Sequence, residues 1–552
     1  MSGILTKTSH IRACFWFFGL VIGCLTAYSG RYFQNNDATV YIEMGEAVWA
    51  GRWWDAANFT FSPVYAILVR LFQAVVPSNP ENEIIRLKLL NILILVVAMA
   101  SFEAFMSTLR RSWEQISANN DRPLDWSSVS LVSYSVFLVA ALVSVRTRLL
   151  NPDMLVMAIS FLCCSIILSI AQGNQDLIRF AALGMATGLG YLTKAFFFLY
   201  SPALIFFAGI SCSSLKRGIS GSAIAVIVAF LVSGPLITGL SLKKGSFSYG
   251  EGGRHVYAIL FGSVGSPENP GRPLNEFPKT VEYEYGDRVT RPLTYDVTYW
   301  TIGVKPVISP LNLLELFIRN VAEVFTQSPW ILFVMAWFLF NISLGSLRIG
   351  PFVPASAQLT LLGLGALGIA LFALVAMEPR YIAPFICFFS SGLCLTIRTH
   401  PDNDRFQNMN RISSLCLAIV LVLFVFHSAW DQSVRGLVSN SEKPSYKESY
   451  EENFAVKEFL ASRGIRFGDK IAVIGSPPTQ WARIAGLRIT GEILFQDEFL
   501  NSSTSERIQA IESLKNAGYK AVIAIGKGYG AIPQDGWTQV PGTRHFYVAT
   551  LQ

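Results

Sequence analysis

Apolar residues fill eleven long stretches of this chain, at about 11–29, 86–108, 129–146, 153–171, 177–192, 195–211, 219–241, 327–346, 354–377, 380–398 and 412–430. A helix needs roughly 20 mostly apolar residues to cross a bilayer, and in lipid it must satisfy its own backbone groups. The pattern predicts an α-helical polytopic membrane protein with about eleven spans. Lys194 alone separates the fifth and sixth stretches, interrupting one apolar run. The stretch from Ile11 to Tyr28 lacks a small-residue cleavage site and reads as a retained first helix.

Between the spans lie two long polar segments. The first, about 30–85, contains Asp37-Ala-Thr-Val-Tyr-Ile-Glu-Met-Gly-Glu-Ala-Val-Trp49, with apolar residues at Val40, Tyr41, Met44, Ala47 and Val48. That spacing predicts an amphipathic helix on the membrane surface, anchored by Trp49, Trp53 and Trp54. Ser62 to Val76 is short for a span and reads as a second interfacial helix. The other segment, about 242–327, is rich in Gly, Pro, Tyr and charge; a loop that long usually has a function. After residue 430 the pattern changes. Asn453–Arg463 and Ser505–Ala517 have helical periodicity, while Lys470–Ile474, Lys520–Ile525 and His545–Leu551 read as strands, predicting a small soluble α/β domain. The Ile474-Gly475-Ser-Pro-Pro turn lacks the glycine spacing of a nucleotide loop.

Composition sharpens this division. The chain is 52% hydrophobic and only 15% charged, with a mean hydropathy of +0.43; soluble domains carry about 25% charge. Residues 431–552 hold 14 Lys/Arg and 13 Asp/Glu, 27 of the 81 charged residues. The division is therefore placed near Asp431, giving a membrane domain 1–430 and a soluble domain 431–552. The net charge of +7 has no basic run or aromatic-basic platform behind it, so nucleic acid is not a partner. With Lys7 and Arg12 inside, the inner loops carry Arg110, Arg111 and Arg122, then Lys216 and Arg217, Arg348, and Arg398, Arg405 and Arg411. Only the Gly173–Asp176 turn lacks a base, as positive-inside topology requires. The eight cysteines lie in or beside apolar stretches without metal-type spacing.

Ionisable groups at helix mouths carry the candidate chemistry, because burying them is costly. Asp37 starts the surface helix, where an N-cap is the simpler role. Asp153, in Asn-Pro-Asp, opens a span and could equally be a helix-start acid. Lys194 stands in a stretch uncharged from Phe180 to Leu215, where snorkelling is the alternative. Arg380, in Glu378-Pro-Arg380-Tyr381, could simply pair with Glu378. Glu251, Arg254 and His255 lie in the long loop, by default solvated. The predicted topology places all of these on the outer face.

That arrangement resembles the GT-C superfamily of membrane glycosyltransferases, closest to the branch of the dolichyl-phosphate-mannose protein mannosyltransferases and aminoarabinose transferases (family 39-like). The resemblance rests on the outer acid Asp37, the Ser62-Pro-Val-Tyr65 segment, Asn-Pro-Asp153, Gly-Leu-Gly-Tyr-Leu-Thr-Lys194 and Glu-Pro-Arg380-Tyr381. It covers most of residues 10–400. Asp37 is followed by Ala38 instead of a second acid, and the tail is not a β-trefoil. The resemblance therefore points to a bacterial relative and away from protein O-mannosylation.

The resemblance implies transfer of a sugar from a polyprenyl-phosphate donor to a glycan, lipid or protein acceptor at the outer face of a bacterial inner membrane. By it, Asp37 is the general base of an inverting reaction, and Lys194 and Arg380 hold the donor phosphate. Asp153 orients the acceptor, or helps hold a divalent cation (Mg2+ or Mn2+) if one is used. Glu251, Arg254, His255, Tyr295, Asp296, Trp300, Glu378 and Tyr381 line the substrate, and the periplasmic tail recruits the acceptor. Two rival classes stand beside it. A transporter or flippase would show paired broken helices and an inverted repeat, and neither is evident. A scaffold presenting the tail would not need so many spans.

Overall fold

The computed structural model describes residues 8–118, 123–262, 271–284, 287–305, 307–347, 356–398, 404–438, 445–475, 478–526 and 536–551. Lys7, Arg122, Arg348 and the Ser476-Pro477 part of the turn after Gly475 lie outside them.

Helix occupies every apolar stretch. The helices run Thr8–Ser29, Glu83–Ala118, Trp126–Val139, Asp153–Ala171, Leu177–Thr193, Phe197–Ile210, Leu215–Lys244, Trp330–Leu344, Ala357–Ala373, Pro379–Thr396 and Asp404–Leu437. Among the described residues six helices are long and apolar enough to cross a membrane, by length and composition. This is a multi-pass membrane fold. Local signals start several of the helices: Asp125, Ser214 and Ser356 each accept a hydrogen bond from a backbone N–H three residues on.

The stretch at 327–346 departs from expectation. It is the second arm of a helix pair, Pro310–Gln327 and Trp330–Leu344, bent by 93°. A broken helix was not foreseen, because Glu315, Arg319 and Glu323 hid the first arm in the polar loop. Ser328 and Pro329 separate the arms, and proline removes the amide that would continue the ladder.

The basic loops gather at one end of the bundle. Ser346–Leu347 pairs antiparallel with Ile397–Arg398, Pro123 bridges to Arg398, and Arg411 meets Asp125 at 3.5 Å. The long polar segments and the tail occupy the opposite end. There the surface helix Asp37–Trp49 packs on the helix Pro63–Val75. Tyr41 lies edge-on to Tyr65, 5.0 Å between centroids. The two helices touch so closely at Gly45 that a Cβ there would lie 2.5 Å from the Ala66 carbonyl oxygen. The surface helix is buried on nearly every side, while Trp49, Trp53 and Trp54 stay exposed.

The boundary drawn near Asp431 falls inside the helix Asp404–Leu437. Beyond it, capping boxes at Ser445/Glu448 and Ser503/Glu506 start the helices Tyr446–Ser462 and Thr504–Asn516. These pack on a seven-stranded sheet in the spatial order Arg272–Asn275, Thr280–Glu282, Arg488–Ile493, Lys470–Ile474, Ala521–Ile525, Phe546–Thr550, Thr538–Gln539. Its three central strands are parallel and its flanking strands antiparallel. The two outermost strands on one side thus come from the long outer loop, about 200 residues earlier in the chain. Arg488–Ile493 escaped prediction because Thr-Gly-Glu breaks its apolar run; Glu492 is buried in an ion pair with Arg291 of the long loop.

Arg483 fastens the tail to the membrane domain. Its guanidinium reaches Glu46 at 2.6 Å and Glu83 at 2.5 Å, and contacts both oxygens of each. Glu83 is almost wholly buried. Arg483→Met leaves that carboxylate uncompensated, a loss of about 3–5 kcal/mol for a broken buried pair. The variant is expected to release the tail, read as faster limited proteolysis of residues 445–552 in detergent. An unchanged cleavage rate would show that the pairing does not hold the interface.

Candidate functional site

Three expected residues form one cluster, Asp153, Lys194 and Arg380, and the two cations drop their simpler roles to do so. Asp153 is 3% exposed at the first turn of its helix, with Asn151 Oδ1 accepting from the Asp153 amide at 3.1 Å. Its carboxylate takes the Lys194 ammonium at 2.6 Å on Oδ1 and faces Arg380 Nε at 3.5 Å on Oδ2. Lys194 therefore does not snorkel. The helix Leu177–Thr193 ends just before it, and Lys194 is extended (φ −156°, ψ 126°), which turns its side chain inward. The ammonium lies 3.5 Å from the Tyr381 ring centroid and 5.9 Å from that of Phe372, a cation–π arrangement. Arg380 pairs with Asp153, not Glu378, and donates from Nη2 to the Tyr381 hydroxyl at 3.2 Å.

Asp37 is not a cap. The N-cap position belongs to Asn36, and neither residue's side chain caps the helix. The Asp37 carboxyl stands in the combined field of Arg380, Asp153 and Lys194, without an ion pair within 4 Å among the described residues. Burial pushes it above the usual carboxylate range; Arg380 and Lys194 offset part of that, and Asp153 adds to it. A carboxyl that is desolvated, unpaired and raised has the profile of a proton acceptor.

The long loop supplies a second group beside this one. Glu251 accepts from Lys244 at 2.5 Å and Ser248 at 2.7 Å. These bonds outweigh its desolvation and hold its carboxyl below the usual range. Arg254 reaches the other Glu251 oxygen at 3.4 Å. His255 is 5% exposed, tilted against Trp300 with centroids 5.6 Å apart, and burial lowers its pKa. Lys244, Glu251, Arg254, His255, Thr298 and Tyr299 help line a cavity of about 250 Å³. It lies against the Lys194 turn: Gly250 has φ +125°, and a Cβ there would sit 3.2 Å from Ala195 Cβ. Glycine suits both constraints.

The remaining candidates play other parts. Asp296 caps the turn Val297–Thr301 through the Thr298 amide and hydroxyl. Tyr295 is buried, donating to the Asp55 carbonyl at 2.9 Å, while its own carbonyl accepts from Asn58. Both shape the loop. Glu378 precedes the helix Pro379–Thr396 and has no ion pair among the described residues. Sequence reading missed the residues beneath the cluster: Asn35, Lys88, Asn91 and the ring of Phe372. A lysine inside an apolar stretch was the available signal for Lys88.

Among the described residues no three His, Cys, Asp or Glu side chains lie together as a metal-holding group. A divalent cation would find two carboxylates here, and both oxygens of one already face cations. That donor set does not fit a protein-held divalent metal.

A second cavity, apolar and of about 470 Å³, lies between the bent helix pair and the helix Pro379–Thr396. Val321, Val334, Met377, Ile382, Ile386 and Phe389 are among its walls, so it runs along one face of the helix Pro379–Thr396 against the bent pair.

No family model matches the chain, and no curated protein matches it by sequence. Solved structures do. The crystal structure of ArnT from Cupriavidus metallidurans bound to undecaprenyl phosphate is similar at TM-score 0.57 and 12% identity, covering 98% of both chains. The Archaeoglobus fulgidus oligosaccharyltransferase is similar in its apo form (TM-score 0.52, 10% identity, 94% of this chain and 69% of that one). It is also similar in complex with Zn and sulfate (TM-score 0.51, 10% identity, 93% and 68%). Identities this low speak for architecture alone: the chain shares the fold of these structures.

Proposed function

We propose that this protein is a membrane glycosyltransferase that moves a sugar from a polyprenyl-phosphate donor to an acceptor hydroxyl, with inversion. One observation carries the reading: a raised, unpaired carboxyl at Asp37 stands beside a Lys194–Asp153–Arg380 cluster. Asp37 accepts the acceptor hydroxyl's proton as its oxygen attacks the anomeric carbon. The bond from that carbon to the phosphate oxygen breaks, and its electron pair leaves with the lipid phosphate. Lys194 and Arg380 neutralise the departing charge in a site largely closed to water, where such contacts are strong. Asp153 keeps the two cations together and oriented before the phosphate shares them. The cavity lined by Glu251, Arg254 and His255 receives the sugar or acceptor. Trp300 and Tyr381 offer ring faces, and Glu378 borders the mouth. The undecaprenyl phosphate bound to the similar ArnT supports a lipid-phosphate donor here. Residues 445–552, with the two strands of the long outer loop, form a unit outside the membrane, and with the basic loops inside, the site and this unit face the periplasm across a bacterial inner membrane.

Purified protein incubated with a panel of polyprenyl-phosphate sugars tests this. Native mass spectrometry is expected to show an adduct of one defined mass, and an added acceptor is expected to gain the sugar. The bent helix pair gives a transporter reading one feature in its favour. Liposome flux of a lipid-linked substrate without sugar transfer would decide for that reading.

The apolar cavity makes a further prediction. Val334→Trp narrows it and is expected to raise KM about tenfold for a long-chain donor while sparing a two-isoprene analogue; overpacking costs of about 1–3 kcal/mol fit that size. Equal effects on both donors would place the prenyl chain elsewhere.

A further inference from the structure

Four consecutive carbonyls, Thr147 to Leu150, lie outside helix and strand on the segment that leads into Asp153. Side chains from elsewhere satisfy all four. Asn91 donates to Thr147 at 2.8 Å and to Leu149 at 2.6 Å. Lys88, one helical turn away and 2% exposed, donates to Arg148 at 2.6 Å. Asn35 donates to Leu150 at 3.1 Å, and the Leu150 amide returns a bond to Asn35 Oδ1 at 3.0 Å. The Lys88 ammonium also donates to the Phe33 carbonyl at 2.7 Å. One buried cation thus ties the segment that ends in Asp37 to the segment that ends in Asp153. Asn91 extends the frame outward, accepting from the Tyr65 hydroxyl at 2.9 Å, and Tyr65 packs on Tyr41, one turn beyond Asp37.

An ammonium buried among backbone carbonyls, with no carboxylate in hydrogen-bond contact, is costly. A purely structural link between two loops would need only neutral donors, such as the two asparagines supply. We infer that Lys88, with Asn35, is a positioning residue that fixes the separation between Asp37 and the Asp153–Lys194–Arg380 cluster. The inference rests on the proposed function for its catalytic meaning but not for its geometry. Lys88 touches no substrate; it acts through the backbone of both segments. A shift of about 1 Å between base and leaving group costs on the order of a hundredfold in rate.

Lys88→Met keeps the aliphatic stem and removes the donors. In detergent-purified full-length protein its kcat is expected to fall about a hundredfold. Affinity for undecaprenyl phosphate, read by native mass spectrometry, is expected to stay within about threefold, because Lys194 and Arg380 remain. The acid limb of its pH profile is expected to move toward that of a free carboxylate. Hydrogen exchange in peptides covering 31–37 and 146–153 is expected to quicken together. Asn35→Ala, at a partly exposed position, is expected to do the same and decides the matter if Lys88→Met does not fold. The double variant is expected to lose less than the product of the single losses. Unchanged exchange in both peptides overturns the frame itself, even in a protein that transfers no sugar. Quickened exchange with kcat and pH profile unchanged overturns the positioning role. Failure of the wild type to transfer sugar counts against the proposed function, and the exchange still decides the frame.

Discussion

Asp37→Asn is expected to lower sugar transfer by about three orders of magnitude while leaving donor binding intact. General-base catalysis contributes roughly 10²–10⁴-fold, and the amide cannot take the proton. Stability should respond in the opposite sense. Because burial raises the Asp37 carboxyl in the folded protein, its stabilising contribution is present below the ordinary carboxylate range and is lost as pH rises through the raised value. At neutral pH the ionised side chain is therefore a cost, and the asparagine variant should melt at the same temperature or higher. The wild-type pH profile of kcat/KM should show its acid limb above about 4, the ordinary aspartate value. A variant that keeps more than a tenth of the activity, or one that loses activity by unfolding, would remove Asp37 from the mechanism.

Truncating either cation should act on the donor. Lys194→Ala removes the 2.6 Å partner of Asp153 and is expected to weaken undecaprenyl phosphate binding about a hundredfold. That loss, about 2.7 kcal/mol, falls within the range for truncating one member of a buried charged contact. Arg380→Ala should do the same. Arg380→Lys retains the charge but loses the Nη2 bond to the Tyr381 hydroxyl, and its loss should be nearer tenfold, since a guanidinium fork and a point charge are not interchangeable. Native mass spectrometry of each variant with the lipid checks these values. Equal binding across the set would show that the phosphate sits elsewhere, whatever the activities.

The amino-acid pattern alone determined where the apolar helices lie along the chain. An apolar stretch of roughly 20 residues has one stable form in lipid, a helix that satisfies its own backbone, so the helices follow from local composition. The same logic singled out Lys194 and Asp153: a charge inside or at the end of an apolar stretch has to be explained. What local pattern could not decide is which partner each charge takes. Lys194 and Asp153 are 41 residues apart in sequence, and Arg380 could have closed on Glu378 just as well. Only the packing of three helix ends chose Asp153 for both cations and left Asp37 unpaired. Lys88 belongs to the same class, a charge visible in the sequence whose acceptors are carbonyls 55 and 60 residues away. The tail shows the limit most clearly. Its own strands form part of the sheet, but the two outermost strands on one side, Arg272–Asn275 and Thr280–Glu282, come from the long loop. Edge pairing runs through backbone groups common to every residue, so no side-chain pattern along the chain announced it, and only the tertiary structure could place that loop between the tail and the site.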